Sequence, residues 1–308
     1  MGAASGPDAA SRSSSQGQAP DAAGVQATPS ASPPGSQAPG RPSRVVQPTT
    51  VTAPPVVPRR WLVTELWLVF ALSLGASAVR ALVQLVSALT SGVPLGHQAA
   101  LLNGSLAPGR PWTDLVLQLV ALTAGLVPVA LALHLLTRSG DGAAAIGFDL
   151  RHRRADLTRG VVLAAVVGGT GLAFYAAVHA AGLDLTVVAE DLPSVWWRIP
   201  VLVLSAAQNA VLEEVLVGGY LLTRLRRLGW GDGRALAVSA VLRGSYHLYQ
   251  GFGGFAGNLV MGLLFGRLYQ RWGRVGPFIA AHTLIDVVAF VGYALLAGHV
   301  SWIPTPPG

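Results

Sequence analysis

Two textures divide the chain. Residues 1–58 show neither a helical nor an alternating apolar period, whereas from Trp61 onward apolar residues gather in long runs separated by short polar segments. An α-helix needs about 20 predominantly apolar residues to cross a hydrocarbon core of about 30 Å. Seven segments reach or approach that length: 61–83, 112–137, 160–182, 199–223, 234–250, 255–271 and 276–297. The pattern predicts an all-α fold, a polytopic integral membrane bundle of about seven transmembrane helices over 59–303, preceded by a disordered tail over 1–58. The fifth and sixth segments are short and interrupted by Gly251, Gly253 and Gly254, so one of them is expected to be tilted or half-spanning.

Composition sharpens this picture. The 308 residues are 52% hydrophobic and 11% charged, against roughly 25% charged in a soluble domain. The tail is rich in Ala, Pro, Ser, Gly and Gln and has no stretch that would serve as a signal-peptide core, so it reads as a solvated extension. Cysteine is absent, which excludes disulfides, thiolate catalysis and Cys-ligated metal. All 21 basic residues are Arg, a bias expected of a genome rich in G and C, which suggests a bacterial plasma membrane as the setting.

Charge then orients the bundle. The net charge of +7 would suit nucleic acid, but the arginines cluster at the ends of apolar runs, where the membrane explains them, so no nucleic-acid partner is expected. With the tail inside, the inner segments carry fourteen arginines (59, 60, 138, 151, 153, 154, 159, 224, 226, 227, 234, 267, 271 and 274) and the outer segments only Arg110 and Arg198. This asymmetry predicts a cytoplasmic N-terminus and, after seven crossings, an external C-terminus. The basic segment 138–159 is expected to lie on anionic headgroups. Gly262 and Gly266 have the spacing that lets two helices approach closely, with packing inside the chain as the default.

The candidate chemistry lies within three apolar runs. Charge inside a bilayer costs roughly 2.5–3.5 kcal/mol per group on insertion scales, so each such residue needs a reason. Glu213 and Glu214 fall in the fourth run, Arg243 and His247 in the fifth, His282 and Asp286 in the seventh; Glu65 and Arg80 lie near the ends of the first and are expected to reach the headgroups. A spacing of four puts Arg243 with His247, and His282 with Asp286, on one face of their helices. At 1.5 Å per residue the groups lie at similar depths and are expected to meet in a polar pocket opening inward. Gln208, Asn209 and Asn258 read as interhelical hydrogen bonds, and Tyr246 and Tyr249 either line the pocket or anchor at the interface.

These residues resemble the CPBP intramembrane proteases, which include the CAAX-processing endoproteases and the bacterial Abi proteins. The likeness covers about 195–297, the protease-like core, and rests on Glu213–Glu214 followed by Gly218, on Arg243 through His247, and on His282 through Asp286. The family usually has Arg where Gly218 stands and Phe where Arg243 stands. Arg243 is expected to compensate by neutralising Glu214, since two adjacent ionised glutamates repel in a low dielectric.

The resemblance implies an intramembrane endopeptidase without a covalent intermediate. Glu213 is the general base, His247 holds and polarises the water, and His282 with Asp286 supports the oxyanion, Asp286 orienting the imidazole. The expected partners are the lipid bilayer and a membrane-associated peptide or protein substrate. No cofactor is expected; zinc is the competing account, since two His and a Glu suit it, although the chain lacks a His-Glu-x-x-His helix. The functional rivals are a catalytically silent relative that binds a membrane partner and a proton-coupled carrier built on the Glu pair.

Overall fold

A computed structural model describes residues 57–182 and 184–300. The tail expected over 1–58 therefore lies, apart from Val57 and Pro58, outside the described residues.

Helices account for most of the described chain: α1 (Arg59–Ala71), α2 (Leu74–Thr90), α3 (Pro111–Arg138), α4 (Arg153–Ala180), α5 (Arg198–Glu213), α6 (Leu222–Arg227), α7 (Asp232–Ser245), α8 (Phe252–Trp272) and α9 (Gly276–Leu296). Between α5 and α6 the helix continues as a π-helical segment, Glu214–Leu221. By length and composition four helices suit a membrane crossing: α3, α4, the continuous Arg198–Arg227 helix and α9; a bent pair, α1 with α2, brings the number to five. The protein is an integral membrane helical bundle.

Three of the seven expected spans differ, the sixth in that α8 is not among the helices that suit a crossing. The first is not one straight helix: α1 and α2 meet at 49°, where the Ser73 hydroxyl donates back to the Val69 carbonyl at 2.6 Å. The fifth is short. Helix α7 has 14 residues, about 21 Å of rise, and gives way to a turn through His247 that leads into α8.

The sequence reading contained no strands, yet β1 (Ala99–Gly104) and β2 (Thr186–Asp191) form a two-stranded parallel sheet. The Asn103 amide donates to the Ala189 carbonyl at 2.9 Å, and Ser205 of α5 donates to the Asn103 side-chain oxygen at 2.7 Å. The sheet defines one end of the bundle, the strand end. Opposite lies a basic end, where Arg274 pairs with Asp149 at 3.1 Å and Asp156 at 2.7 Å. The Arg274 guanidinium beside Asp149 holds its carboxyl below the usual value.

Small residues bring the helices together. A Cβ at Gly160 on α4 would come 2.6 Å from Ala280 Cβ on α9. Gly262 and Gly266 face Ala240 and Leu236 of α7, so the paired glycines pack α8 on α7 within the chain. The larger apolar cluster surrounds the π segment and includes Val215, Leu216, Val217, Tyr220, Leu221, Phe265 and Phe278. A second cluster, with Trp197, Leu202 and Phe290, underlies the sheet.

Candidate active site

Three helices converge at mid-bundle. Glu213 ends α5 and Glu214 opens the π segment, Arg243 lies in the last turn of α7, and His282 and Asp286 lie on α9. π-Helical segments are rare and occur often at functional sites.

Arg243 is the hub. Its Nη2 donates to Glu214 Oε1 and, at 3.3 Å, to Glu213 Oε2. His282 Nδ1 is 2.9 Å from Glu214 Oε1 and 3.1 Å from Arg243 Nη2. A carboxylate only accepts, so toward Glu214 His282 Nδ1 carries the hydrogen and donates it, and its approach to the Arg243 Nη2, itself a donor, is a contact and not a hydrogen bond. The other ring nitrogen, Nε2, is 3.6 Å from Asp286 Oδ2, an ion-pair separation longer than a hydrogen bond. Arg243 Cζ also lies 5.5 Å from the centre of the Phe265 ring, the geometry of a cation–π contact.

Position 218 bears on the exchange of arginine between helices. A Cβ at Gly218 would lie 3.6 Å from Glu214 Oε2 and meets nothing closer. A side chain rooted there would pass the carboxylate that Arg243 now reaches from α7.

His247 begins the turn after α7. Its Nδ1 is 3.0 Å from the Arg243 carbonyl. A carbonyl only accepts, so Nδ1 bears the hydrogen and the neutral ring presents Nε2 as an acceptor. That atom stands 4.0 Å from Glu213 Oε1. The six candidate residues therefore form one connected cluster.

Sequence reasoning left Tyr246 between two roles. The structure buries it and directs its hydroxyl to Glu213 Oε2 at 2.9 Å. Its ring centroid is 4.8 Å from that of His247, and Tyr249 stacks on His247 from further along the turn at 6.5 Å. The signal was its place three residues after Arg243 and beside His247, on the same side of the helix end. Asn258, by contrast, donates to Gly254 within its own helix rather than across helices.

The larger apolar cluster packs around the π segment between the site and the basic end. Exposure grades across the site: the Glu214 and Arg243 side chains are 1% and 2% exposed, those of Glu213, His247 and Asp286 11%, 13% and 19%. Helix α7 runs from the basic end, so His247 lies at its strand-end tip.

The His247 turn is tied to the strand end. Asp184 and Gly251 form an antiparallel bridge, and the Leu185 N–H donates to the Gln250 carbonyl at 3.2 Å. The Asp184 carboxylate occupies the space where a Cβ on Gly251, at a φ of +111°, would stand. Burial pushes Asp184 up to about 6, while the backbone N–H groups of Leu185, Gly253 and Gly254 pull the other way.

Glu65 shows a further departure. Rather than reaching the headgroups, it pairs at 3.1 Å with Arg224, which is fully buried. Among the described residues, no group of three or more His, Asp or Glu side chains has a metal-binding arrangement.

Residues 195–288 match a family model described as Type II CAAX prenyl endopeptidase Rce1-like. The matched segment holds all six candidate residues. Comparison with curated proteins and with solved structures gives no match.

Proposed function

With residues 195–288 forming a CAAX endopeptidase-type domain in an integral membrane helical bundle, we propose that Glu213 activates a water to hydrolyse a peptide bond in a membrane-associated substrate. The protein is thus read as a glutamic intramembrane endopeptidase. One observation carries this reading: two acceptors, Glu213 Oε1 and His247 Nε2, face each other across 4.0 Å. Hydrogen bonds of about 2.8 Å let one water donate to both. Its lone pairs then point away from both acceptors, toward a substrate carbonyl.

Proton movements follow from this placement. As the water oxygen bonds to the carbonyl carbon, one proton passes to Glu213. The oxygen of the tetrahedral intermediate needs a donor. His282 as an imidazolium, with Nδ1 donating to Glu214, has a second hydrogen on Nε2 to offer, and Asp286 at 3.6 Å favours that charged ring. The C–N bond then breaks, and Glu213 returns its proton to the leaving amine. Arg243 holds Glu214 and one oxygen of Glu213 throughout, supplying from α7 the cation that the family usually places at position 218.

Zinc fits the same atoms less well. Two tetrahedral ligands at about 2.1 Å from the metal lie about 3.4 Å apart, closer than Glu213 and His247 as they stand. The reading is therefore metal-free. The arginine asymmetry supports a cytoplasmic basic end, and the composition a bacterial membrane.

The test is cleavage in proteoliposomes of two internally quenched peptides, one carrying a prenylated CAAX-type terminus and one an unmodified hydrophobic peptide. At least one is expected to be cut, with Glu213→Gln lowering kcat by about 10³-fold or more and a strong chelator without effect. Folded wild-type protein that cuts neither peptide, or equals Glu213→Gln in rate, would overturn the assignment in favour of the silent relative. Loss in chelator with recovery on added zinc would overturn the metal-free mechanism.

A further inference from the structure

The base is held in place by a phenol that the reaction itself does not require. Glu213 Oε2 accepts from Tyr246 at 2.9 Å and from Arg243 Nη2 at 3.3 Å. Its other oxygen, Oε1, is the one facing His247. A carboxylate beside a guanidinium tends to turn both oxygens onto it, because the paired geometry is the stronger one. A glutamate so engaged would have Oε1 drawn onto the guanidinium and turned away from His247.

Tyr246 opposes that rotation. It follows directly on α7, is 5% exposed, and is braced against the His247 ring. The shorter of the two bonds to Oε2 is the phenol's, and the Arg243 Nη2 is shared with Glu214. We propose that Tyr246 is a positioning residue: its hydroxyl pins Oε2 of Glu213, keeps the carboxylate out of a two-oxygen pairing with Arg243, and leaves Oε1 alone to meet the water. This rests on the assignment of Glu213 as the base.

A phenol acting through the base also sets how readily that base takes a proton. Removing a donor from a carboxylate favours its protonated form. The acidic limb of the rate profile, where the base becomes protonated, thus reports on the Tyr246 hydroxyl and not on packing.

The experiment compares wild type, Tyr246→Phe and Glu213→Gln on the internally quenched peptide that the wild type cleaves, in proteoliposomes, across pH. Tyr246→Phe is expected to lower kcat by about 10- to 100-fold with KM unchanged, and to move the acidic limb to higher pH. Replacement of Tyr246 by 3-fluorotyrosine, a more acidic phenol of nearly the same shape, moves the limb the opposite way and keeps the proposal testable should Tyr246→Phe not fold. A Tyr246→Phe protein with wild-type kcat and profile, or a fluorotyrosine protein with an unmoved limb, overturns the positioning role while Glu213→Gln stays inactive. An active Glu213→Gln overturns instead the assignment of the base on which the role rests.

Discussion

Two arginines, Arg224 and Arg243, are both all but removed from solvent, at 0% and 2% exposure, and they do different work. Arg224 stands at the basic end, reaching Glu65 of α1 at 3.1 Å, the Ser139 hydroxyl at 2.8 Å and Asp141 at 3.8 Å, while Arg227 shares Asp141. Two cations meet two carboxylates there, and the partners come from segments far apart in sequence. Around Arg243 a single guanidinium meets Glu213 and Glu214, with Asp286 beyond His282. Acceptors outnumber cations. A balanced cluster fastens chain segments together, whereas a cluster with surplus carboxylate oxygens still has something to offer a proton.

The contrast breaks first at Arg243. Arg243→Ala is expected to abolish peptide cleavage and to cost about 3–5 kcal/mol of stability, since it leaves buried carboxylates unpaired. Arg243→Phe combined with Gly218→Arg is expected to restore much of both, because a Cβ at position 218 would stand 3.6 Å from Glu214 Oε2 with nothing closer. Full activity in folded Arg243→Ala would show that the hub is no more than a fastener.

Arg224→Met sharpens the same comparison from the other side. It is expected to lower the thermal midpoint, with a cost of about 3 kcal/mol, while kcat per folded molecule stays within about twofold of wild type. Detergent-solubilised unfolding and active-site-normalised rates measure the two quantities separately. A large fall in kcat with stability intact would join the two clusters into one functional unit.

The smallest effect concerns a group outside both clusters, Asp184. Burial raises it from 3.8 to about 6, so between those values the folded state holds a proton that the unfolded chain has released. Stability therefore falls as pH rises from about 4 to about 6. Asp184→Asn is expected to flatten that decline and to gain about 1–3 kcal/mol at pH 7. Thermal midpoints of the two proteins that run parallel across this window would refute the attribution.

Much of the site was legible because its information is local. The spacings Arg243–His247 and His282–Asp286 fix shared helix faces without knowledge of the rest of the chain, and cost of burial picks out ionisable residues in apolar runs. Long-range features were not legible. Nothing within Glu65 or its neighbours indicates that Arg224 waits on another helix. The strands Ala99–Gly104 and Thr186–Asp191 are each six residues and exist through their pairing with each other. The bend near Ser73 interrupts a run whose composition is continuous. How Val215–Leu221, Phe265 and Phe278 pack around the π segment is likewise not specified by hydropathy alone.

The π segment has a consequence for phase. Wider turns accommodate an additional residue per circuit, so Glu213 before the segment and Arg224 after it stand at azimuths that an uninterrupted α-helix would not give them. Holding the same residues at ordinary α pitch, so that the additional residue is no longer absorbed, would swing one flank relative to the other by about 100°. Either the acid pair turns away from α7 or Arg224 loses Glu65. A single helix thus keeps time for both clusters, and the surplus residue is what sets the beat.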